Sequence, residues 1–232
     1  DQETVAAVIR KYSLLGVPVV DDQKRLLGMV TVDDVLDVMH EETAEDISQV
    51  AGTTTEDVAH AAPPLEAALA RFAWLTTSLL GGLLAGLVLS RFSTALTPNL
   101  MLVYFLPVII AVGRVVGAQS LAVTGRAEPT QARAALWKEI RIGGLAAVAA
   151  GVGIGLIAYV WQGLPEVGAV VGVSLAVALL FAAMLGAFAP VVLKRLGLQP
   201  TLAAGPLVDG VTSVVGVSLY LVLATYLLGH LI

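Results

Sequence analysis

The stretch LAAGPLVDGVTSVVGVSLYLVLATYLL, residues 202–228, carries one acid in an otherwise uncharged run. About 20 apolar residues are enough to cross the ~30 Å hydrocarbon core of a bilayer. A charged side chain at that depth costs roughly 2.5–3.5 kcal/mol on insertion scales, and such residues usually face a partner or water. The stretch therefore predicts a membrane-spanning helix in which Asp209 is either paired or lines an aqueous path.

Four further apolar runs of similar length precede this one. The chain has 232 residues, of which 57% are hydrophobic and 13% are charged, whereas soluble domains carry about 25% charged residues. We place the spans at Leu69–Phe92, Leu100–Thr124, Ile140–Trp161, Gly168–Leu193 and Leu202–Leu228. The predicted fold is mainly α, a polytopic membrane protein with five transmembrane helices over residues 69–232.

The loops between these spans differ in charge. Basic residues concentrate between the second and third spans and between the fourth and fifth, at Arg126, Arg133, Lys138, Arg141, Lys194 and Arg195. Because cytoplasmic loops carry the excess of Lys and Arg, the N-terminus is predicted to be cytoplasmic. With five spans, the C-terminus is predicted to lie outside.

The segment before the membrane is acidic. Residues 1–68 hold fourteen acidic and four basic residues, a balance of −10. An acidic segment argues against nucleic acid and favours cations as partners. The chain has no Cys, so thiol and disulfide chemistry is excluded.

Residues 1–40 are predicted to form a helix, two strands and a second helix. They are too few for an independent core, so we expect further chain or a partner to complete them. An acidic connecting helix and linker follow over 41–68. The acids that crowd this region are Asp33, Asp34, Asp37, Glu41, Glu42, Glu45 and Asp46. They form either a solvated face or a sensor whose mutual repulsion is relieved by bound cations.

One face of the fifth span is narrow and bears oxygen atoms. Positions 205, 209, 213 and 216 share a face at helical spacing, and they are Gly205, Asp209, Ser213 and Gly216, with Thr212 adjacent. In the second span, a stripe of small residues includes Gly117 and has Gln119 beside it. Such faces are what a cation path requires.

Arg114 in the second span offers Asp209 a partner. At ~1.5 Å per residue, Arg114 lies about 15 Å and Asp209 about 10 Å from the cytoplasmic ends of their spans. These depths allow an ion pair, and buried charges usually pair. Asp209 is therefore either a ligand for a passing ion or one half of a structural salt bridge, and both interpretations stay open.

Glycines and prolines also interrupt the spans. Gly82 and Gly86, and a group of glycines in the third span that includes Gly151 and Gly155, are predicted to let helices approach closely. Pro107 and Pro206 each remove a helical hydrogen bond. The carbonyl freed one turn earlier is either part of an ordinary kink or an oxygen ligand for a cation.

Several motifs resemble the MgtE family of magnesium channels. Residues 16–38, with Val17-Pro18-Val19-Val20-Asp21 and Gly28-Met29-Val30-Thr31, resemble the end of that family's second CBS motif. Residues 42–47 resemble the start of its plug helix. Phe105-Leu106-Pro107-Val108 and Gly205-Pro206-Leu207-Val208 resemble parts of its second and fifth spans. The resemblance covers essentially the whole chain.

The resemblance implies a homodimer in a bacterial inner membrane, with a pore lined by the second and fifth spans. It implies passive Mg²⁺ entry, with Mn²⁺ or Co²⁺ as alternative ions, and closure when Mg²⁺ binds the acidic cytoplasmic region. The acids matching that sensor are Asp34, Asp37, Glu42 and Glu45. An enzyme is not expected, because the spans hold no Cys, His cluster or carboxylate pair.

The chain departs from the family at two pore positions. Arg114 lies where the family's second span is rich in Gly and Asn, and the family's pore aspartate corresponds to Ser213. Asp209 lies one turn earlier on the same face. The alternative function is therefore a non-conducting or altered homologue, in which the Arg114–Asp209 pair seals the pore and the protein acts as a cation sensor or scaffold.

Overall fold

The computed structural model describes residues 2–51, 63–127, 131–196 and 200–231. The chain divides into two compact units, Asp1–Ala70 and Arg71–Ile232. The helices are α1 (Gln2–Tyr12), α2 (Val32–Ala51), α3 (Pro64–Arg91), α4 (Ser93–Leu96), α5 (Leu106–Gly125), α6 (Ala132–Gln162), α7 (Pro165–Arg195) and α8 (Pro200–Leu231); a 3₁₀ helix covers Thr97–Phe105. The strands are β1 (Gly16–Val20) and β2 (Leu26–Thr31).

The first unit contains the predicted helix, hairpin and helix. β1 and β2 are antiparallel, with Gly16 opposite Thr31. The turn between the strands is held by Asp21, whose Oδ1 accepts hydrogen bonds from the N–H groups of Gln23 and Arg25 at 2.9 and 2.8 Å. These bonds, led by that from the Arg25 N–H, lower the pKa of Asp21 because they favour the charged form.

The helices of this unit bury a small apolar core. Ile9 of α1 and Val35 of α2 are buried. The strands leave apolar side chains exposed, among them Leu26, Leu27 and Met29. α2 runs without interruption from Val32 to Ala51. The second helix predicted within residues 1–40 and the acidic helix predicted from residue 41 are therefore one helix. Residues 52–62 of the predicted connecting helix and linker lie outside the described residues.

The second unit is a helical bundle. Four helical segments are long and apolar enough to cross a membrane, namely Asn99–Gly125, Ala132–Gln162, Pro165–Arg195 and Gly205–His230. They coincide with four of the five predicted spans. Within α3, the described apolar part is the shorter stretch Leu75–Arg91, so a fifth crossing remains a prediction.

α7 is the central helix of this bundle and packs against α5, α6 and α8. Glycines permit its close contact with α6. A Cβ on Gly151 would lie 2.6 Å from the Gly172 carbonyl oxygen, and one on Gly155 would lie 2.8 Å from that of Gly168. The predicted packing role of the third-span glycines is thus confirmed at these two positions, because no side chain fits there.

The glycine motif of the first span is used differently from the prediction. Gly82 and Gly86 are exposed, and a Cβ on either would meet no described atom within 4 Å. Their neighbour Gly81 makes the close approach instead, since its Cβ would lie 2.6 Å from the Gly210 Cα. The contact shifts by one residue because the register of α3 against α8 selects which side of the helix faces the bundle.

Pro107 does not free a carbonyl as expected. It lies in the first turn of α5, where the Leu106 N–H donates to the Val103 carbonyl, the group four residues before the proline. A first-turn proline breaks no helical bond, because that N–H would have no helical partner anyway. Pro206 is inside α8 as predicted. A further proline, Pro190, lies inside α7 and was not predicted to interrupt that helix.

Candidate functional site

The structure brings Asp209, Arg114 and a serine of the first apolar helix together. Arg114 Nε of α5 forms an ion pair with Asp209 Oδ1 of α8. Ser78 Oγ of α3 donates a 2.9 Å hydrogen bond to Asp209 Oδ2. Both oxygens of the carboxylate are therefore engaged, one by a cation and one by a hydroxyl donor.

The two members of the ion pair differ in exposure. The Asp209 side chain is 16% exposed and the Arg114 side chain 56%. The Asp209 carboxylate is thus largely buried in the bundle, whereas more than half of the Arg114 side chain is exposed at its surface. A cation that approached Asp209 would have to compete with Arg114 for Oδ1.

The predicted polar face of α8 is only partly open in the single chain. Thr212 and Ser213 are buried, and Gly205 is half-buried. The Thr212 hydroxyl donates to the Val208 carbonyl at 2.7 Å, and the Ser213 hydroxyl donates to the Asp209 carbonyl at 2.8 Å. Both hydroxyls thus donate to main-chain carbonyls of their own helix.

The predicted stripe on α5 has a packing role. A Cβ on Gly117 would lie 3.1 Å from Thr212 Cγ2 and 3.3 Å from Val208 Cγ1. Gly186 of α7 approaches the Gly117 backbone from the other side. Gly117 therefore lets α5 fit between α7 and α8, three residues from Arg114, while Gln119 is exposed.

The acids predicted to sense cations lie on α2. Asp34 and Asp37 are exposed. Asp34 Oδ2 accepts hydrogen bonds from the Thr31 hydroxyl at 2.6 Å and from the Thr31 N–H at 2.8 Å. These bonds, led by that from the hydroxyl, lower the Asp34 pKa. Asp34 thus caps the N–H of the residue just before α2, which is the part of a capping box that the third helical residue supplies.

The other two predicted sensor acids have side chains that the structure does not describe. Glu42 and Glu45 belong to α2, but their side chains lie outside the described part of the chain. Among the residues that the structure describes, no three His, Cys, Asp or Glu side chains are grouped closely enough to hold a metal ion.

A buried acid was missed at the start of α6. Glu139 is only 6% exposed, and its Oε1 accepts a 3.2 Å hydrogen bond from Ser120 Oγ of α5. The third span was predicted to begin at Ile140, one residue after Glu139. α6 extends back to Ala132, so Glu139 lies within this helix and not in the loop before it. The signal was the position of Glu139 four residues before Gly143, on the packing face.

Ser78 and Tyr220 were also missed. The Tyr220 side chain is fully buried, and its hydroxyl donates a 3.0 Å bond to the Leu102 carbonyl in the 3₁₀ segment. A serine in an apolar helix has no local signal that distinguishes an interhelical donor. The tyrosine could have been suspected, because a buried Tyr hydroxyl usually finds an acceptor.

The fold and this site define an integral membrane protein with a charged, hydrogen-bonded contact among three apolar helices. Such intramembrane charges commonly mark ion pathways.

Comparison with known proteins gives the family. The MgtE family of divalent cation transporters matches residues 106–223, and the CBS domain matches residues 1–41. The magnesium transporter MgtE of Thermus thermophilus is 36% identical over 236 residues, which cover 98% of this chain and 52% of that protein. The chain belongs to the MgtE family.

Two further relatives match nearly the whole of this chain as well. The magnesium transporter MgtE of Bacillus subtilis is 32% identical over 232 residues, covering 97% of this chain and 51% of that protein. That of Enterococcus faecalis is 32% identical over 238 residues, covering 100% and 52%. The chain spans about half the length of the curated relatives it matches.

Proposed function

We propose that this chain forms the membrane part of a passive divalent-cation transporter whose main ion is Mg²⁺, with Mn²⁺ and Co²⁺ as alternatives. The observation that carries the proposal is Asp209, an acid that is 16% exposed inside an apolar helix of the family-matched region. Mg²⁺ keeps several waters and is bound through one or two carboxylates, so Asp209 would hold it through its hydration shell.

The ion path in this proposal runs along the faces of α5 and α8. Asp209, Ser213, Thr212 and Gly205 contribute from α8, while Gly117, Gln119 and Arg114 contribute from α5. A second copy of the chain would supply the other wall of the path. Two Asp209 carboxylates across the dimer axis would then share one hydrated ion.

A second candidate function is favoured by the Arg114–Asp209 ion pair. A fixed cation beside the carboxylate repels an approaching cation and occupies the oxygen that an ion would use. In this alternative the pair seals the path, and the protein serves as a cation sensor or scaffold in the membrane.

Mg²⁺ flux into liposomes distinguishes the two functions. The full chain, Asp209→Ala and Arg114→Ala would be reconstituted with a Mg²⁺-sensitive dye inside the vesicles. Ser90→Ala is the control, because the Ser90 hydroxyl donates to Leu87 of its own helix. The proposal expects flux in the unaltered chain and its loss in Asp209→Ala. Flux that appears only in Arg114→Ala would reject the transporter and favour the sealed form.

Gating is proposed to come from the cytoplasmic acids. Asp34, Asp37, Glu42 and Glu45 would bind Mg²⁺, relieve their mutual repulsion and stiffen the connecting segment that closes the path. Limited proteolysis of residues 40–65 tests this role: protection should increase with millimolar Mg²⁺. Cleavage that is equally fast with and without Mg²⁺ would contradict it.

The proposed setting is a homodimer in a bacterial inner membrane, with the N-terminus cytoplasmic and the C-terminus outside. The basic residues at the C-terminal ends of α5 and α7, namely Arg126, Lys194 and Arg195, support this orientation through the excess of Lys and Arg on the cytoplasmic side. A single cysteine introduced at Gly229, labelled in intact cells with an impermeant maleimide, tests it. Labelling only after lysis would reverse the orientation.

A further inference from the structure

We propose that Ser78 is a positioning residue for Asp209, and that the Gly81–Gly210 contact sets its place. The inference rests on the proposed role of Asp209 in cation passage. Ser78 lies on α3, outside the two helices to which the ion path is assigned. It would act through the orientation of the Asp209 carboxylate rather than by touching the ion.

The hydroxyl of Ser78 behaves differently from two others on the same helix. Thr76 Oγ1 donates to the Phe72 carbonyl, and Ser90 Oγ donates to the Leu87 carbonyl. Such bonds within a helix are the usual choice for Ser and Thr in apolar helices. Ser78 instead reaches across to Asp209 at 2.9 Å, which is a charge-assisted bond and stronger than a neutral one.

A backbone contact one turn away fixes the position of Ser78 along the helix axis relative to Asp209. A Cβ on Gly81 would lie 2.6 Å from the Gly210 Cα, and a Cβ on Gly210 would lie 3.3 Å from the Thr77 carbonyl oxygen. Two main chains in such contact cannot slide past one another without separating. Residues 78 and 209 are therefore kept in register by their neighbours 81 and 210.

The bond from Ser78 limits what Arg114 can do. An arginine and a carboxylate prefer to pair through two parallel hydrogen bonds. Here Asp209 Oδ2 accepts from Ser78, and Arg114 pairs with Oδ1. Without the hydroxyl, the carboxylate would turn both oxygens toward the guanidinium. Ser78 thus keeps Asp209 in an orientation from which a hydrated cation can displace Arg114.

The first test measures Mg²⁺ flux as a function of Mg²⁺ concentration. Ser78→Ala should raise the half-saturating concentration about tenfold, equivalent to about 1.4 kcal/mol, while the flux at saturation changes little. Ser78→Thr keeps the hydroxyl and should restore the original value. An unchanged value in Ser78→Ala, or no restoration by Ser78→Thr, would overturn the proposal.

Matched glycine variants test the register. Gly81→Ala should raise the half-saturating concentration with Ser78 intact, because the added methyl group separates α3 from α8. Gly82→Ala is the control, since its Cβ meets no described atom within 4 Å. An equal effect of both substitutions would show that the Gly81–Gly210 contact does not position Ser78.

A second measurement does not depend on flux. The melting temperature in detergent would be recorded for Arg114→Ala in three backgrounds: the unaltered chain, Ser78→Ala and Ser90→Ala. Arg114→Ala should lower the melting temperature most in Ser78→Ala, because Asp209 then loses both partners. Simple addition of the two shifts would refute positioning, whereas absent Mg²⁺ flux with clear coupling would refute the transporter function alone.

Discussion

Replacing Gly186 by alanine should destabilise the bundle and disturb the Arg114–Asp209 pair. Gly186 of α7 lies against the Gly117 backbone of α5, and a Cβ at residue 186 would be 2.9 Å from the Gly117 carbonyl carbon and 3.0 Å from its Cα. It would also overlap the Gly117 carbonyl oxygen. The obstacle is backbone, so a whole helix must move.

The expected magnitude follows from two opposing effects. Adding atoms to a well-packed interior costs about 1–3 kcal/mol. Alanine regains up to about 1 kcal/mol over glycine through helix propensity. Because the obstacle is backbone, the cost should lie at the upper end of its range, and we expect Gly186→Ala to lower the free energy of unfolding by about 2 kcal/mol.

Gly153→Ala is the matched control for this change. Gly153 lies in α6, and a Cβ there would meet no described atom within 4 Å, so only the gain in helix propensity remains. Gly117→Ala should fall between the two, because the nearest atoms to its Cβ, Thr212 Cγ2 and Val208 Cγ1, end side chains that can move.

The assay is thermal or denaturant unfolding of the full chain in detergent, followed by Mg²⁺ flux in liposomes. Gly117 is three residues from Arg114, so displacement of α5 should also alter flux in Gly186→Ala. If Gly186→Ala proved as stable as Gly153→Ala, the result would refute the close backbone contact between α5 and α7.

Three further predictions concern single polar groups. Tyr220→Phe leaves the Leu102 carbonyl without its 3.0 Å bond, and the unfolding free energy should fall by about 1–3 kcal/mol; an unchanged melting curve would contradict this. Ser174 is fully buried, and its hydroxyl has no hydrogen-bond partner among the described residues, so Ser174→Ala should not destabilise the chain and should stabilise it by up to about 1 kcal/mol; a clear loss would contradict it. Asp34 has a lowered pKa in the folded chain, so its contribution is complete above its unfolded pKa of about 3.9 and is lost as the pH falls through the folded value. The protection factors of the amides in the first turn of α2, corrected for intrinsic exchange, should therefore fall at low pH in the unaltered chain, whereas Asp34→Asn should show no such step.

The membrane helices were predictable because their signal is local. A run of apolar residues long enough to cross a bilayer needs no information from elsewhere in the chain, and four predicted spans coincide with described helices. The bond from the Thr31 N–H to Asp34 depends on local sequence for the same reason, since the two residues are three positions apart. The Arg114–Asp209 pair was foreseen as one of two alternatives, because only two charges of similar depth were recognised inside the spans.

The rest could not be predicted because it depends on which helix faces fit together. Gly81 rather than Gly82 contacts α8, and composition does not distinguish adjacent glycines. Glu139 was treated as part of a loop because its burial becomes apparent only when α5 packs beside α6.

The sequence by itself determined that this is a multi-pass membrane protein of the MgtE family with an unusual acid at Asp209 and an unusual base at Arg114. The tertiary structure decided how that acid is held, by Arg114 on one oxygen and by Ser78 on the other. Ser78 and Asp209 are 131 positions apart, so local patterning cannot join them. Their meeting is set by helix register, which depends on backbone contacts such as that of Gly81 with Gly210.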